Sequence, residues 1–167
     1  MPVKDILLLG NPQLYEVSEP VIKAELESLE VVVGDLRDTM LEFRRVHGVG
    51  RAIAAPQIGV FKRLIYMNIE GTETVFINPE LVGKSEEMFE LWDDCMSFPD
   101  LLVKVKRHQH IIMSYYDLGW EKQVLRVEND LSELLQHEYD HLDGILATMR
   151  AIDPYSFSLK SQLGKTT

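Results

Sequence analysis

The stretch "DLSELLQHEYDHLDGILATM" (residues 130–149) decides how the rest of the chain is arranged. Its aliphatic residues recur at helical spacing and form one apolar stripe: Leu131, Leu134, Leu135, Leu142, Ile145 and Leu146. Glu138 lies in the middle of that stripe, four residues from both Leu134 and Leu142. A carboxylate among buried leucines is costly unless a positive charge compensates it. We therefore predict a helix, capped by Asp130, whose buried face holds a cation.

Two histidines flank this glutamate and give the cation a place to bind. His137 and His141 are one helical turn apart, so their rings can converge on one point. A solvated polar patch is the alternative interpretation, and it would place Glu138 on the outer face of the helix. The apolar stripe contradicts that placement, so the sequence favours a metal site.

A catalytic metal centre usually has three protein ligands and one open position, so a third ligand is needed. Cys95 is the strongest candidate, because a thiolate binds zinc or ferrous iron tightly. His108 and His110 are rival candidates on one face of a predicted strand, where ordinary polar positions explain them equally well. The sequence alone leaves this choice open.

Composition limits the possible functions. The length of 167 residues favours one domain, residues 1–167. A net charge of −10, from 17 basic and 27 acidic residues, argues against a nucleic-acid partner. No apolar run approaches the roughly 18 residues needed to cross a bilayer, and the first residues lack the features of a signal peptide. We therefore expect a cytoplasmic protein with no membrane partner.

The order of predicted elements indicates the fold class. A helix is expected from Glu19 to His47, with Ser18 as its cap and Gly48 as its end. The glycine-rich and alanine-rich stretch that follows, residues 48–60, is expected to be a loop. Strands are predicted at residues 64–69, 74–82, 101–116 and 122–128, before the last helix. This order predicts an α+β fold, with mostly antiparallel β-sheets packed around the C-terminal HExxH helix and with an N-terminal helix.

Three short motifs together resemble those of the peptide deformylase family. They read GRAIAAPQ (residues 50–57), DDCMS (93–97) and QHEYDH (136–141), in the family's order and roughly its spacing. The resemblance covers about residues 5–155. It implies a metal-dependent hydrolase that removes the formyl group from the N-terminal formyl-methionine of nascent polypeptides and releases formate.

The resemblance also implies a role for individual residues. Cys95, His137 and His141 would hold one divalent metal ion, most often Fe(II) in the cell, with Zn, Ni or Co as substitutes. Glu138 would transfer protons. The side-chain amide of Gln57 and the backbone N–H of Met96 would stabilise the oxyanion. The expected partner is an N-formylated peptide; ribosome association is not predicted from the short tail, and an organellar location stays open.

The chain departs from the family pattern where substrate is expected to bind. Arg51 replaces a usually aliphatic residue, and Ala52 and Asp94 replace glycines. The substrate-binding candidates are Gly50, Arg51, Ala52, Asp94 and Arg107. Arg107 is also expected to pair with Asp93, and the opposite charges of Arg51 and Asp94 suggest a pair across the cleft.

These departures leave two alternatives to formyl-methionyl peptides. One is a hydrolase of the same kind that acts on another N-formyl or N-acyl compound. The other is a catalytically impaired metal-binding relative, and the presence of Glu138 counts against it.

Overall fold

The computed structural model describes residues 3–165 and contains two α-helices, α1 (Leu26–His47) and α2 (Asn129–Leu142). The strands of this part of the chain are β1 (Ala52–Ala54), β2 (Leu64–Ile69), β3 (Thr72–Lys84), β4 (Met88–Asp93), β5 (Leu101–His108), β6 (His110–Tyr116), β7 (Lys122–Glu128) and β8 (Phe157–Leu159). Neither helix is long and apolar enough to span a membrane.

The strands form two antiparallel sheets. One has five strands in the order β1-β2-β3-β6-β7, and the other has three in the order β4-β5-β8. Helix α2 contacts β1 and β7 of the larger sheet and β5 of the smaller one. The predicted α+β fold, with antiparallel sheets packed around the HExxH helix, is confirmed.

The larger sheet is covered on both faces. Ile53, Leu64 and Tyr66 pack with the apolar residues of α1, whereas the alternate residues Ala54 and Ile65 pack with those of α2. Successive side chains of a strand point to opposite faces, so each helix covers one face. Burial on both faces explains why β2 begins with four consecutive apolar residues instead of alternating apolar and polar ones.

The predicted strand at residues 101–116 is wrong, because the chain divides at Gln109 into β5 and β6, which belong to different sheets. The side chain of Gln136 on α2 accepts a hydrogen bond from His108 N and donates one to His108 O. The backbone N–H of Gln109 donates to Glu87 O. These bonds turn the chain at a place where the sequence has no glycine or proline.

The predicted starts of both helices need correction. Helix α1 begins at Leu26 instead of Glu19, because the preceding segment is bound elsewhere: Ser18 N donates to Leu142 O at the end of α2. Asp130 does not cap α2, whose N-cap is Glu128 without a side-chain bond. The carboxylate of Asp130 instead binds Arg51.

Other boundaries also differ from the prediction. Helix α2 ends at Leu142 instead of Met149, so Ile145 and Leu146 lie beyond it. Part of the predicted loop forms strand β1, and the sequence pattern predicts neither β4 nor β8. The end of α1 at Gly48 is confirmed, with a left-handed φ of 75° at that glycine.

Gly144 follows α2 at a point where the chain has no room for a side chain. Its φ is +70°, and a Cβ there would overlap the backbone carbonyl of Tyr15. Only glycine adopts this conformation without strain and also permits the close approach of the N-terminal segment.

We predict that Gly144→Ala lowers the free energy of unfolding by about 2–4 kcal/mol, from left-handed strain plus a steric clash. Gly48→Ala is the matched control, since Gly48 has a similar φ of +75° and a Cβ added there would have no atom within 4 Å. It should cost only about 1 kcal/mol. Urea denaturation measures both, and equal losses would contradict the proposed contact with Tyr15.

Candidate metal centre and its cavity

Helix α2 and the turn after β4 bring together one sulfur and two imidazoles. The ligand atoms of Cys95, His137 and His141 all lie within 4.8 Å of one another, and the three residues are buried. The Sγ atom of Cys95 is 3.3 Å from Nε2 of His141. Among residues 3–165, this is the one group of three or more potential metal-ligating side chains that is so arranged.

The spacing and chemistry of this cluster fit a tetrahedral divalent ion. Bonds of about 2.3 Å to sulfur and about 2.1 Å to nitrogen imply a sulfur–nitrogen separation near 3.6 Å. The 3.3 Å between Cys95 and His141 is close to that value. A thiolate with two imidazoles suits zinc or ferrous iron, and three ligands leave one position open.

A buried chain of charges orients His137. Its Nδ1 lies 3.0 Å from Asp93 Oδ2, so Nε2 is the nitrogen that faces Cys95. Arg107 donates hydrogen bonds to Asp93 at 2.9 Å and to Asp140 at 2.6 Å. Burial alone would raise the pKa of Asp93, but His137 and Arg107 lower it to about 2. Asp93 is therefore a carboxylate at neutral pH.

The two histidines differ in their proton affinity. Burial lowers the pKa of His141 well below its usual value, so its ring is neutral. Burial also acts to lower the pKa of His137, but Asp93 and Cys95 outweigh it and raise that pKa well above the usual value. Because a metal ligand must be deprotonated, His137 would bind a metal ion in its neutral form.

Glu138 is buried beside the cluster, as the apolar stripe predicted. Its side chain is 4% exposed, and Oε2 has no hydrogen-bond partner among the described residues. Burial raises the pKa of Glu138 to about 7. A carboxyl group with a pKa in this range can both accept and return a proton near neutral pH.

A cavity of about 770 Å³ opens onto the cluster. Four predicted substrate-binding residues line it: Gly50, Arg51, Ala52 and Asp94. The cavity wall also includes Cys95, Met96, His137 and Glu138, so two of the three ligating candidates and two of the three catalytic candidates face the same space. The arrangement allows a small substrate to reach the cluster from solvent.

Gln57 lies behind the cavity wall and is held in one orientation. Its Oε1 accepts a hydrogen bond from Ala54 N at 2.9 Å, which fixes the amide. Its Nε2 donates to Ser97 Oγ at 3.2 Å and lies 3.6 Å from Cys95 Sγ. The amide nitrogen of Gln57 is therefore next to the ligand cluster.

Gly50, in the first motif, lies close to Met96 of the second motif. Its φ of +138° is unfavourable for other residues, and a Cβ would lie 3.0 Å from Met96 Cε. Its carbonyl accepts a hydrogen bond from Arg44 Nε at 2.9 Å. Gly50 therefore lies close to Met96, and its carbonyl anchors the segment before β1 to α1.

The predicted pair of Arg51 with Asp94 is wrong. Arg51 binds Asp130 at 2.6 Å and Glu133 at 3.1 Å, both on α2. Asp94 instead lies 3.7 Å from Lys160 of the C-terminal segment. No local pattern in the sequence indicates that this segment returns to the cavity through β8.

Three other predicted residues lie away from the cavity. Arg107 does not line it, because its guanidinium is buried between Asp93 and Asp140, so its assignment to substrate binding is corrected. His108 Nδ1 contacts Ser85 O, and His110 pairs with Glu128. Cys95 is therefore the third member of the cluster, and the two rivals are not.

Sequence reasoning missed two charged residues that matter here. Glu133 lines the cavity one helical turn before His137, a spacing that could have revealed it. Asp140 is buried and accepts hydrogen bonds from Arg107 and Arg150. The sequence marks it as part of the third motif but does not indicate these contacts.

Comparison with known proteins agrees with this geometry. A sequence model of the family described as polypeptide deformylase matches residues 3–156. The chain belongs to the polypeptide deformylase family. It is 38% identical over 151 residues to a peptide deformylase of Rhizobium meliloti (strain 1021), covering 87% of this chain and 83% of that protein.

Solved deformylase structures share the fold of this family member. The peptide deformylase of Thermotoga maritima superposes with a TM-score of 0.84 at 28% identity, covering 92% of this chain and all of that one (100%). A Met-Ala-Ser-bound class I type b peptide deformylase of Acinetobacter baumannii gives a TM-score of 0.82 at 30% identity, covering 89% and 98% of the two chains. The chain is thus an enzyme of this family.

Arg107→Met should destabilise this deformylase by about 3–5 kcal/mol, because it leaves two buried carboxylates unpaired. Loss of the contact that orients Asp93 should also weaken metal binding by about 10- to 100-fold. Denaturant unfolding and competition with a chelator measure the two effects.

Arg150→Met is the matched control, since Arg150 also binds Asp140 but its side chain is 43% exposed. It should cost at most about 1 kcal/mol and leave metal affinity unchanged. If the two variants behave alike, the buried charge chain does not orient His137.

Proposed function

We propose that this chain removes the formyl group from the N-terminal formyl-methionine of nascent polypeptides and releases formate. The observation that carries the proposal is the buried Glu138 carboxyl group beside the Cys-His-His cluster, at the wall of a cavity open to solvent. A relative in the same family has been solved with Met-Ala-Ser bound, the peptide that deformylation of formyl-Met-Ala-Ser would yield.

Cys95, His137 and His141 hold the metal in this proposal, and ferrous iron is the predicted ion in the cell. When bound, a divalent ion lowers the pKa of a water molecule and offers positive charge to a carbonyl oxygen. The protein contributes a fixed ligand geometry, since Asp93 sets the orientation of His137 and Gln57 lies against Cys95.

Glu138 transfers the protons of the reaction. Its carboxylate accepts a proton from the attacking water and then gives it to the amine that leaves as the C–N bond of the formamide breaks. The pKa near 7 that burial produces suits both steps. The free Oε2 atom is the position from which this exchange takes place.

Gln57 and Met96 stabilise the negative charge that develops on the formyl oxygen. The amide of Gln57 is fixed by Ala54 before substrate arrives, and its Nε2 turns from Ser97 toward the formyl oxygen when substrate binds. The backbone N–H of Met96 follows Cys95 directly and lies at the cavity wall. The two donors thus lie on the side of the thiolate ligand, from which they donate to the formyl oxygen.

The peptide backbone lies along Gly50–Ala52 in this proposal. Strand β1 is at the edge of the five-stranded sheet, where an extended chain can add main-chain hydrogen bonds. The side chains of Ala52 and Asp94 narrow this approach. Activity on another N-formyl or N-acyl compound is the second candidate, and the charged residues of the cavity favour it.

Several broader assignments stay predictions. They are one domain over residues 1–167, a cytoplasmic location, and the absence of nucleic-acid, membrane and ribosome partners. The acidic net charge of −10 supports the absence of a nucleic-acid partner.

Release of formate from formyl-Met-Ala-Ser by protein loaded anaerobically with iron tests the proposal. Glu138→Gln should lower kcat by about 10²- to 10⁴-fold, because the proton acceptor is lost. One equivalent of metal should still bind. Full activity of the variant would reject Glu138 as the base, and hydrolysis of acetyl-Met-Ala-Ser alone would favour the second candidate.

Gln57→Leu should lower kcat by about 10²- to 10³-fold with metal content unchanged, since one oxyanion donor is removed. Gln162→Leu is the control for loss of an amide, because Gln162 is exposed and its Nε2 bonds only the side chain of its neighbour, Ser161 Oγ. A decrease of less than about threefold for Gln57→Leu would assign that amide a structural role only.

A further inference from the structure

An ion-pair network crosses one side of the cavity. Arg51, from the segment before β1, binds Asp130 at 2.6 Å through Nη1 and Glu133 at 3.1 Å through Nη2. Both acidic residues belong to the first turns of α2. The Arg51 side chain is 37% exposed, whereas that of Glu133 is 9% exposed. The network therefore runs from the mouth of the cavity into its wall.

The network lies within reach of a substrate side chain. Glu133 is four residues before His137, which places it about 6 Å along the helix axis from that ligand. In an N-formyl peptide, the first Cα is only two bonds from the formyl carbon. A side chain as long as methionine that extends along α2 from the metal cluster therefore contacts Glu133 and Arg51.

The charge of this wall affects which side chains can bind there. Covering an ion pair with a hydrocarbon chain removes water and returns no hydrogen bond, which is unfavourable. A side chain with an acceptor oxygen receives a hydrogen bond from the Arg51 guanidinium instead. Glu133 is already poorly hydrated, since its side chain is only 9% exposed, and this burial raises its pKa to about 7.

The second ion pair at the cavity does not change this conclusion. Asp94 and Lys160 lie 3.7 Å apart on the side of β4 and the C-terminal segment. The charges of Asp94 and Lys160 offset each other on that side of the cavity. Arg51 therefore contacts the first side chain of a bound peptide at the wall formed by α2 and the segment before β1.

We propose that Arg51 and Glu133 determine the specificity of the deformylase reaction and favour peptides whose first side chain carries a hydrogen-bond acceptor. The inference rests on the proposed function. Methionine sulfoxide belongs to this substrate class and arises from an initiator methionine by oxidation of its sulfur. Glutamine, with its amide oxygen, is a second member of similar length.

Three peptides that differ in one side chain test the proposal: formyl-norleucyl-Ala-Ser, formyl-glutaminyl-Ala-Ser and the methionine sulfoxide equivalent. With nickel-loaded enzyme, kcat/KM should be about 10- to 100-fold higher for the two acceptor peptides than for norleucine, as expected for a hydrogen bond to a charged group. The double variant Arg51→Leu/Glu133→Leu should lose this preference, chiefly through KM.

The double variant Glu42→Leu/Arg45→Leu is the matched control. It removes an ion pair of the same residue types from the outer surface of α1, away from the cavity. It should keep the wild-type preference. Arg51→Lys, which retains the charge but not the planar donors, is a second variant and should keep only part of the preference for acceptor side chains. Metal content checks that each variant is folded.

The outcomes separate this inference from the proposed function. Formate release from every peptide with equal kcat/KM, or a preference that survives the Arg51→Leu/Glu133→Leu change, overturns the specificity assignment and leaves the deformylase activity intact. Absence of formate from all peptides, including formyl-Met-Ala-Ser, with one metal bound per chain, rejects the proposed function and this inference with it.

Discussion

The buried contact between Arg107 and the carboxylates of Asp93 and Asp140 is the constraint on which the site depends. It joins β5, the end of β4 and α2 at one buried point. A guanidinium offers a rigid, planar set of donors that holds two carboxylates in fixed directions, whereas an ammonium group is a point charge without that geometry. Since Asp93 also holds His137, the helix position, the strand position and one ligand ring are fixed together.

Helix α2 serves the core and the site at the same time. One face of the helix completes the apolar core against the larger sheet, with Leu135 and Leu142 fully buried. The adjoining face carries His137, Glu138 and His141 toward the cavity wall and Cys95. A helix packed on both sides cannot rotate without losing core contacts, so the ligand atoms keep their spacing.

Short-range spacing predicted His137, Glu138 and His141, and the order of elements predicted the fold class, whereas the resemblance to the deformylase family was needed to assign Cys95 as the third ligand. The interruption of a leucine stripe by Glu138 located the site, and helical periodicity placed both histidines on one side. Contacts between residues far apart in the sequence were harder to predict. The break at Gln109 comes from a hydrogen bond to a residue 28 positions from His108, and no local signal encodes it. The partners of Arg51 were likewise mispredicted, because opposite charge alone does not specify which acidic residue is near.

The way α2 ends has a consequence for the assembly of the enzyme. The carbonyl of Leu142 accepts hydrogen bonds from the backbone of Ser18 and from the Arg63 side chain, which are far away in sequence. Contacts of such long separation form late in folding. A partly synthesised copy, in which residues 137–142 have not yet been added, has neither its imidazole pair nor an anchor for its N-terminal segment. A nascent chain therefore has a complete ligand cluster only after the ribosome has synthesised α2.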